Sequence, residues 1–227
     1  MPTIRSFAAE LSIATAAAVV LWAVTGNSLG LWLGGYAVGG MLAAALAVGR
    51  TSWLERTLAT GSAADPVAAV WLASTLLTGG SIWAWFACTI LLYTTTAVAA
   101  ATALLVAAPR VPPVVGSTVA AVLFIGWLAY PVWGGRTIDR RVASGLSDFH
   151  PLIAANGQQA SQGVWLERPL AYRLTVLGQD VPYGLPGTVW PSATLHLLIA
   201  ALAAGAARAI ETVASPARWR ASSPDPR

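Results

Sequence analysis

Residues 66–108 read PVAAVWLASTLLTGGSIWAWFACTILLYTTTAVAAATALLVAA, 43 residues without one charged side chain. As a single helix this run would be about 65 Å long at 1.5 Å per residue, twice a hydrocarbon core about 30 Å thick. It therefore folds back on itself. Thr78-Gly79-Gly80-Ser81 is the turn signal within it and would leave a short first arm and a long second one. A turn near Trp85 to Cys88 would give equal arms, and either choice gives two crossings.

Upstream, Asp65-Pro66 reads as an N-cap and first-turn proline opening the third span. Before it, from Arg50 to Asp65, Trp53, Leu54, Leu58 and Ala59 alternate with Glu55, Arg56 and Thr57, which suits a short helix lying in the membrane interface. Phe7 to Thr25 and Leu29 to Val48 are two further apolar runs joined by Gly26-Asn27-Ser28. The first lacks a small-x-small cleavage site and reads as a retained span rather than a signal peptide. Downstream, Pro109-Arg110-Val111-Pro112-Pro113 ends the hairpin and Val114 to Trp133 forms a fifth span, leaving the membrane at Tyr130, Pro131 and Trp133. Trp190-Pro191 opens a sixth, which runs to about Ala207, and Arg208 begins a polar tail.

The expected fold is all-α: a polytopic helical membrane protein of about six transmembrane helices. Residues 1–133 form a five-span bundle with the interfacial link at 50–65, and 134–189 form one large extracytoplasmic loop between spans five and six. Residues 190–210 carry the last span and 211–227 a cytoplasmic tail.

Composition agrees. Hydrophobic residues make up 56% and charged residues 10% of the chain, against about 25% charged in a soluble domain. Mean hydropathy is +0.66. A soluble globule, an ordinary nucleic-acid-binding domain and a disordered tail are all excluded on these grounds. Arginine supplies all 13 basic residues, and with the alanine excess this indicates a high-GC bacterial genome. Eight arginines lie in the N-terminus, the 50–65 link, the Arg110 turn and the tail, while the opposite face has none in its two tight turns. Its long loop balances five arginines with four acids. Positive charge in short loops marks the cytoplasmic side, so both termini are expected inside, in the cytoplasmic (inner) membrane.

Few residues invite a chemical role. Gly30, Gly34, Gly35 and Gly39 are small residues four apart, which let helix backbones approach closely; their partner is a helix of this chain or of another subunit. Glu10 and the threonines 94–96 are polar groups within apolar runs. The hydroxyls have the ready alternative of bonding to their own helix. The lone Cys88 excludes a disulfide framework. His150 and His196 would have to face one another at matched depth to hold a haem, and no residues show zinc-ligand or nucleophile-elbow spacing. No catalytic residue, metal or cofactor is expected.

The loop 134–189 combines Asp148, His150, Trp165, Glu167, Arg168 and Asp180 with several prolines. It reads as a folded cap with short helices at 151–155 and 169–177, either a structural lid or a docking surface.

The layout resembles the permease subunits of ABC-type exporters, with six spans and both termini in the cytoplasm. Leu54-Glu55-Arg56-Thr57-Leu58-Ala59-Thr60 is similar to that family's link before the third span, and Leu146-Ser147-Asp148-Phe149-His150-Pro151-Leu152 to its outer loop. The resemblance implies a transport subunit without chemistry of its own, paired with itself or a sister permease. It also implies a cytoplasmic ATPase met by Glu55 and Arg56. The residues alone equally allow a non-catalytic docking subunit of a larger energy-transducing membrane complex. In both cases the partners are the lipid bilayer and other membrane subunits, and nucleic acid is not among them.

Overall fold

A computed structural model describes residues 12, 15–16, 19–20, 28–48, 50, 52–107, 111–130, 140–160 and 186–214. Among these, 89% are helical and none lies in a strand. The helices are α1 (Ser28–Val48), α2 (Trp53–Thr78), α3 (Ile82–Val106), α4 (Pro113–Leu128), α5 (Arg140–Ser147), α6 (Pro151–Ala160) and α7 (Trp190–Ala214).

Two of them, α3 and α7, are long and apolar enough to cross a membrane, with mean hydropathies of 1.8 and 1.7. They occupy different places. The apolar window of α3 is 56% buried in the bundle, that of α7 only 11%. A helix that is apolar all round belongs in an interior, and α3 is the hub, packed against α1, α2, α4, α6 and α7. Its neighbours approach through small residues. Ala43, Ala44, Ala47, Ala63, Ala64, Ala99 and Ala103 are all buried. Tyr36 of α1 donates its hydroxyl to Cys88 O at 3.2 Å, and Trp85 Nε1 donates to Ala68 O at 3.0 Å.

The hairpin in the charge-free run turns at Gly79-Gly80-Ser81. Gly79 has φ +70°, a left-handed backbone that favours glycine, and its N–H and that of Gly80 both bond to Thr75 O. The alternative turn at residues 85–88 falls inside α3.

The start of the preceding helix differs from the sequence reading. Asp65-Pro66 opens nothing, because α2 begins at Trp53 and runs through both residues. Ser52 and Glu55 form a capping box: Ser52 Oγ accepts from Glu55 N at 3.2 Å, and Glu55 Oε2 from Ser52 N at 3.4 Å. An interior proline costs about 3 kcal/mol, which tight packing here offsets. Pro66 is buried, and its neighbour Val67 lies against Gly35 of α1. The supposed interfacial link is thus the first half of α2, and the short arm of the hairpin becomes a helix of 26 residues beside one of 25.

At the other end α7 continues past Arg208 to Ala214 instead of yielding to a tail. Beyond α4, the helix expected at 151–155 extends to Ala160, and α5 was not foreseen. The expected helix at 169–177 lies outside the described residues.

Candidate functional site

Three places bring polar groups together, and a fourth is an apolar cavity. The first is at the middle of the bundle. Asp65, at the midpoint of α2, is exposed, and Tyr93, at the midpoint of α3, donates its hydroxyl to Asp65 Oδ1. The continuity of α2 brings the carboxylate beside the middle of α3; a helix starting at residue 65 would have left it at a helix end.

The second gathers at Trp127, near the end of α4. Trp127 stacks on Tyr130 with ring centroids 5.6 Å apart, and lies 5.2 Å from the ring of His150 and 6.3 Å from that of His196. The hydrogen bonds fix both imidazoles as neutral. His196 Nδ1 lies 2.7 Å from Ser192 O, a carbonyl that only accepts, so Nδ1 carries the proton. Its Nε2 then accepts from Trp127 Nε1 at 3.2 Å. Ser192 Oγ donates to Phe149 O at 2.8 Å, tying α7 to the turn before α6. His150 Nε2 donates to Trp127 O at 3.0 Å, and its Nδ1 accepts from Ile153 N at 3.4 Å. Burial pushes the His150 imidazole down to about 3. The structure thus joins two histidines that the sequence left apart, but every ring nitrogen is engaged and none is open to a haem or metal. Among the described residues no group of three or more histidine, cysteine or acidic side chains could hold a metal ion.

His150 was expected on a docking surface and is instead fully buried. The amides of α6, Asn156, Gln158 and Gln159, are buried as well, with Gln159 Nε2 3.8 Å from Cys88 Sγ. Asp148 remains exposed. Trp165, Glu167, Arg168 and Asp180 lie outside the described residues, as does Glu10.

The third place is the opposite end of the bundle. Arg56 Nη1 lies 2.8 Å from Glu211 Oε1, an ion pair without hydrogen-bond alignment, and Arg56 Nε donates to Arg50 O at 3.1 Å. The guanidinium groups of Arg56 and Arg208 stand 5.2 and 6.0 Å from the centre of Trp53. Arg56 therefore ties α2 to α7, whereas Glu55 is engaged in the cap of α2 itself.

The fourth is a cavity of about 310 Å³ between α3, α4 and α7, lined by Val98, Thr102, Ala120, Phe124, Leu195 and Ile199 among others, with Trp127 and His196 also at its wall. The lining is nearly all apolar.

The glycines of α1 divide. Gly35 faces Val67 of α2; a Cβ on Gly39 would lie 3.4 Å from Thr96 Cγ2 and 3.6 Å from Ala63 O. These two pack inside the chain, and Gly40, not singled out above, packs against Phe124 of α4. Gly30 and Gly34 occupy the first part of the same helix. The threonines 94–96 bond back to Leu91 O and Tyr93 O at 2.6–3.0 Å, so they line no polar path.

No family model, no curated protein and no solved structure matches the chain.

Proposed function

We propose that the chain is a non-catalytic, multi-pass subunit of a larger assembly in a bacterial cytoplasmic membrane, with six spans and both termini in the cytoplasm. The observation that carries this reading is the exposed carboxylate of Asp65 level with the middle of α3, the most deeply packed apolar helix. A charged side chain at the bilayer centre costs at least about 2.5–3.5 kcal/mol, and a bundle built to stand alone in lipid would turn it inward. The clustering of Arg50, Arg56 and Arg208 at one end of the bundle supports the orientation. Native electrophoresis and in-membrane crosslinking of the tagged chain test the assembly: a complex well above the 23.4 kDa of one chain is expected, and a monomer under both conditions removes the reading. A periplasm-dependent reporter fused at Arg227 is expected to stay silent.

The exporter-permease reading keeps one observation in its favour, the apolar cavity between α3, α4 and α7. Glu55 and Arg56 are engaged within the chain, so an ATPase would meet their exposed neighbours Leu54 and Leu58. Filling the cavity with Ala120→Phe tests it. ATP-driven movement of a lipophilic dye in inverted vesicles should fall in the folded variant, and unchanged movement rejects a transport path there.

A further inference from the structure

We infer that the face of α2 centred on Asp65 seats a membrane-spanning helix of a different protein, one presenting an arginine or lysine at mid-depth. This rests on the reading of the chain as an assembly subunit and names the chemistry of its partner.

The face has the shape for such a contact. Gly61, Asp65, Ala69 and Ala73 recur every four residues along α2; Asp65, Ala69 and Ala73 are exposed and Gly61 half-buried. A Cβ placed on Gly61 meets nothing within 4 Å. Small residues at this spacing admit a second backbone closely. Leu54 and Leu58 extend the stripe at one end, 70% and 50% exposed, and Leu76 extends it at the other, 60% exposed. One carboxylate thus stands in the middle of a mostly apolar strip, with exposed Thr57 four residues before Gly61, about 33 Å long at 1.5 Å per residue, the length of a bilayer crossing.

Charge decides the occupant. Tyr93 supplies one hydrogen bond to one oxygen of Asp65, whereas a carboxylate accepts about four. Lipid tails offer no donor. A second copy related by symmetry would set Asp65 against Asp65, and the chain has no basic residue between Arg56 and Arg110 to place at that depth instead. A guanidinium or ammonium group on a foreign helix satisfies the free lone pairs and cancels the charge.

The probe is a synthetic polyleucine transmembrane peptide with one central arginine, compared with versions carrying central leucine or glutamate. Each is reconstituted with the full chain in lipid vesicles, and association is read by energy transfer. The arginine peptide is expected to bind about tenfold more tightly than the leucine peptide. Asp65→Asn should abolish the difference, and Asp65→Arg should transfer the preference to the glutamate peptide. Resistance of Cys88 to maleimide reports that each variant is folded. Equal binding of arginine and leucine peptides, or a preference that survives Asp65→Asn, overturns the proposal, as does self-association of the chain that depends on Asp65. Native electrophoresis separates the two readings. A large native complex that Asp65→Arg leaves intact keeps the assembly and rejects this face as its seam, and a wild-type monomer rejects the assembly itself.

Discussion

Replacing Trp127 by phenylalanine keeps an aromatic ring beside Tyr130 and deletes one N–H. His196 Nε2 then loses its donor in a site where the imidazole is 2% exposed. A buried acceptor left without a partner costs about 1–3 kcal/mol. For a chain of this length each kcal/mol shifts the melting temperature by about 2–4 °C, so Trp127→Phe should melt about 2–12 °C below the parent in lipid nanodiscs, followed by circular dichroism. His196→Leu should lose a similar amount by stranding the indole N–H. Removing both ends of a hydrogen bond leaves neither group stranded, so the double variant should lose less than the sum, with a coupling of about 0.5–3 kcal/mol. Strictly additive losses, or a Trp127→Phe variant as stable as the parent, would refute the hydrogen bond as the tie between α4 and α7.

His150 gives a pH dependence. Its unfolded imidazole titrates near 6.5 and the folded one near 3. Below 6.5 the unfolded chain takes up a proton that the folded one refuses, so stability present above that pH drains away towards pH 3 by about 1.4 kcal/mol per unit. Melting curves between pH 7 and 4 should show the slope, and His150→Gln should reduce it, with buried His196 left to supply the remainder. Gly116→Leu should cost about 1–3 kcal/mol by overpacking, because even a Cβ there lies 2.6 Å from Ala107 Cβ and 2.9 Å from its backbone; chemical unfolding measures it. Glu211→Gln, which removes the charge of the pair and leaves the other contacts of Arg56 in place, should cost only about 0–1 kcal/mol, since Glu211 is 44% exposed, and a larger loss would mean that the pair is shielded from water. Cys88, fully buried, should take up no maleimide until the protein is unfolded, as mass spectrometry will show.

What the sequence disclosed was local. The absence of charge over residues 66–108 marks a helical hairpin, and the glycines at 79–80 offer one of the two turns open to it, the one the structure adopts. At the beginning of α2 two start signals compete, Asp65-Pro66 and the capping box spelled by Ser52-Trp53-Leu54-Glu55, and the structure uses the second. A start at Asp65-Pro66 would put Asp65 at a helix end; the start at Trp53 puts it at the midpoint. Nothing near His150 or His196 in the chain announces the other, since Trp127 on a third segment joins them. The buried amides of α6 were equally hidden: asparagine and glutamine read as surface residues until a neighbour such as Cys88 is in place.

The central position of α3 bears on how the protein is made. Its most extensive neighbour is α7, the last described helix to be synthesised. While the ribosome is still translating the residues before Trp190, the side of α3 that carries Val98, Ala99 and Thr102 has no α7 to close it. The nascent bundle must therefore wait with its axis uncovered on one flank, as segments of larger proteins wait for later ones. A chain truncated before Trp190 should insert yet be cleared by membrane proteases, and supplying residues 186–227 as a separate peptide should rescue it.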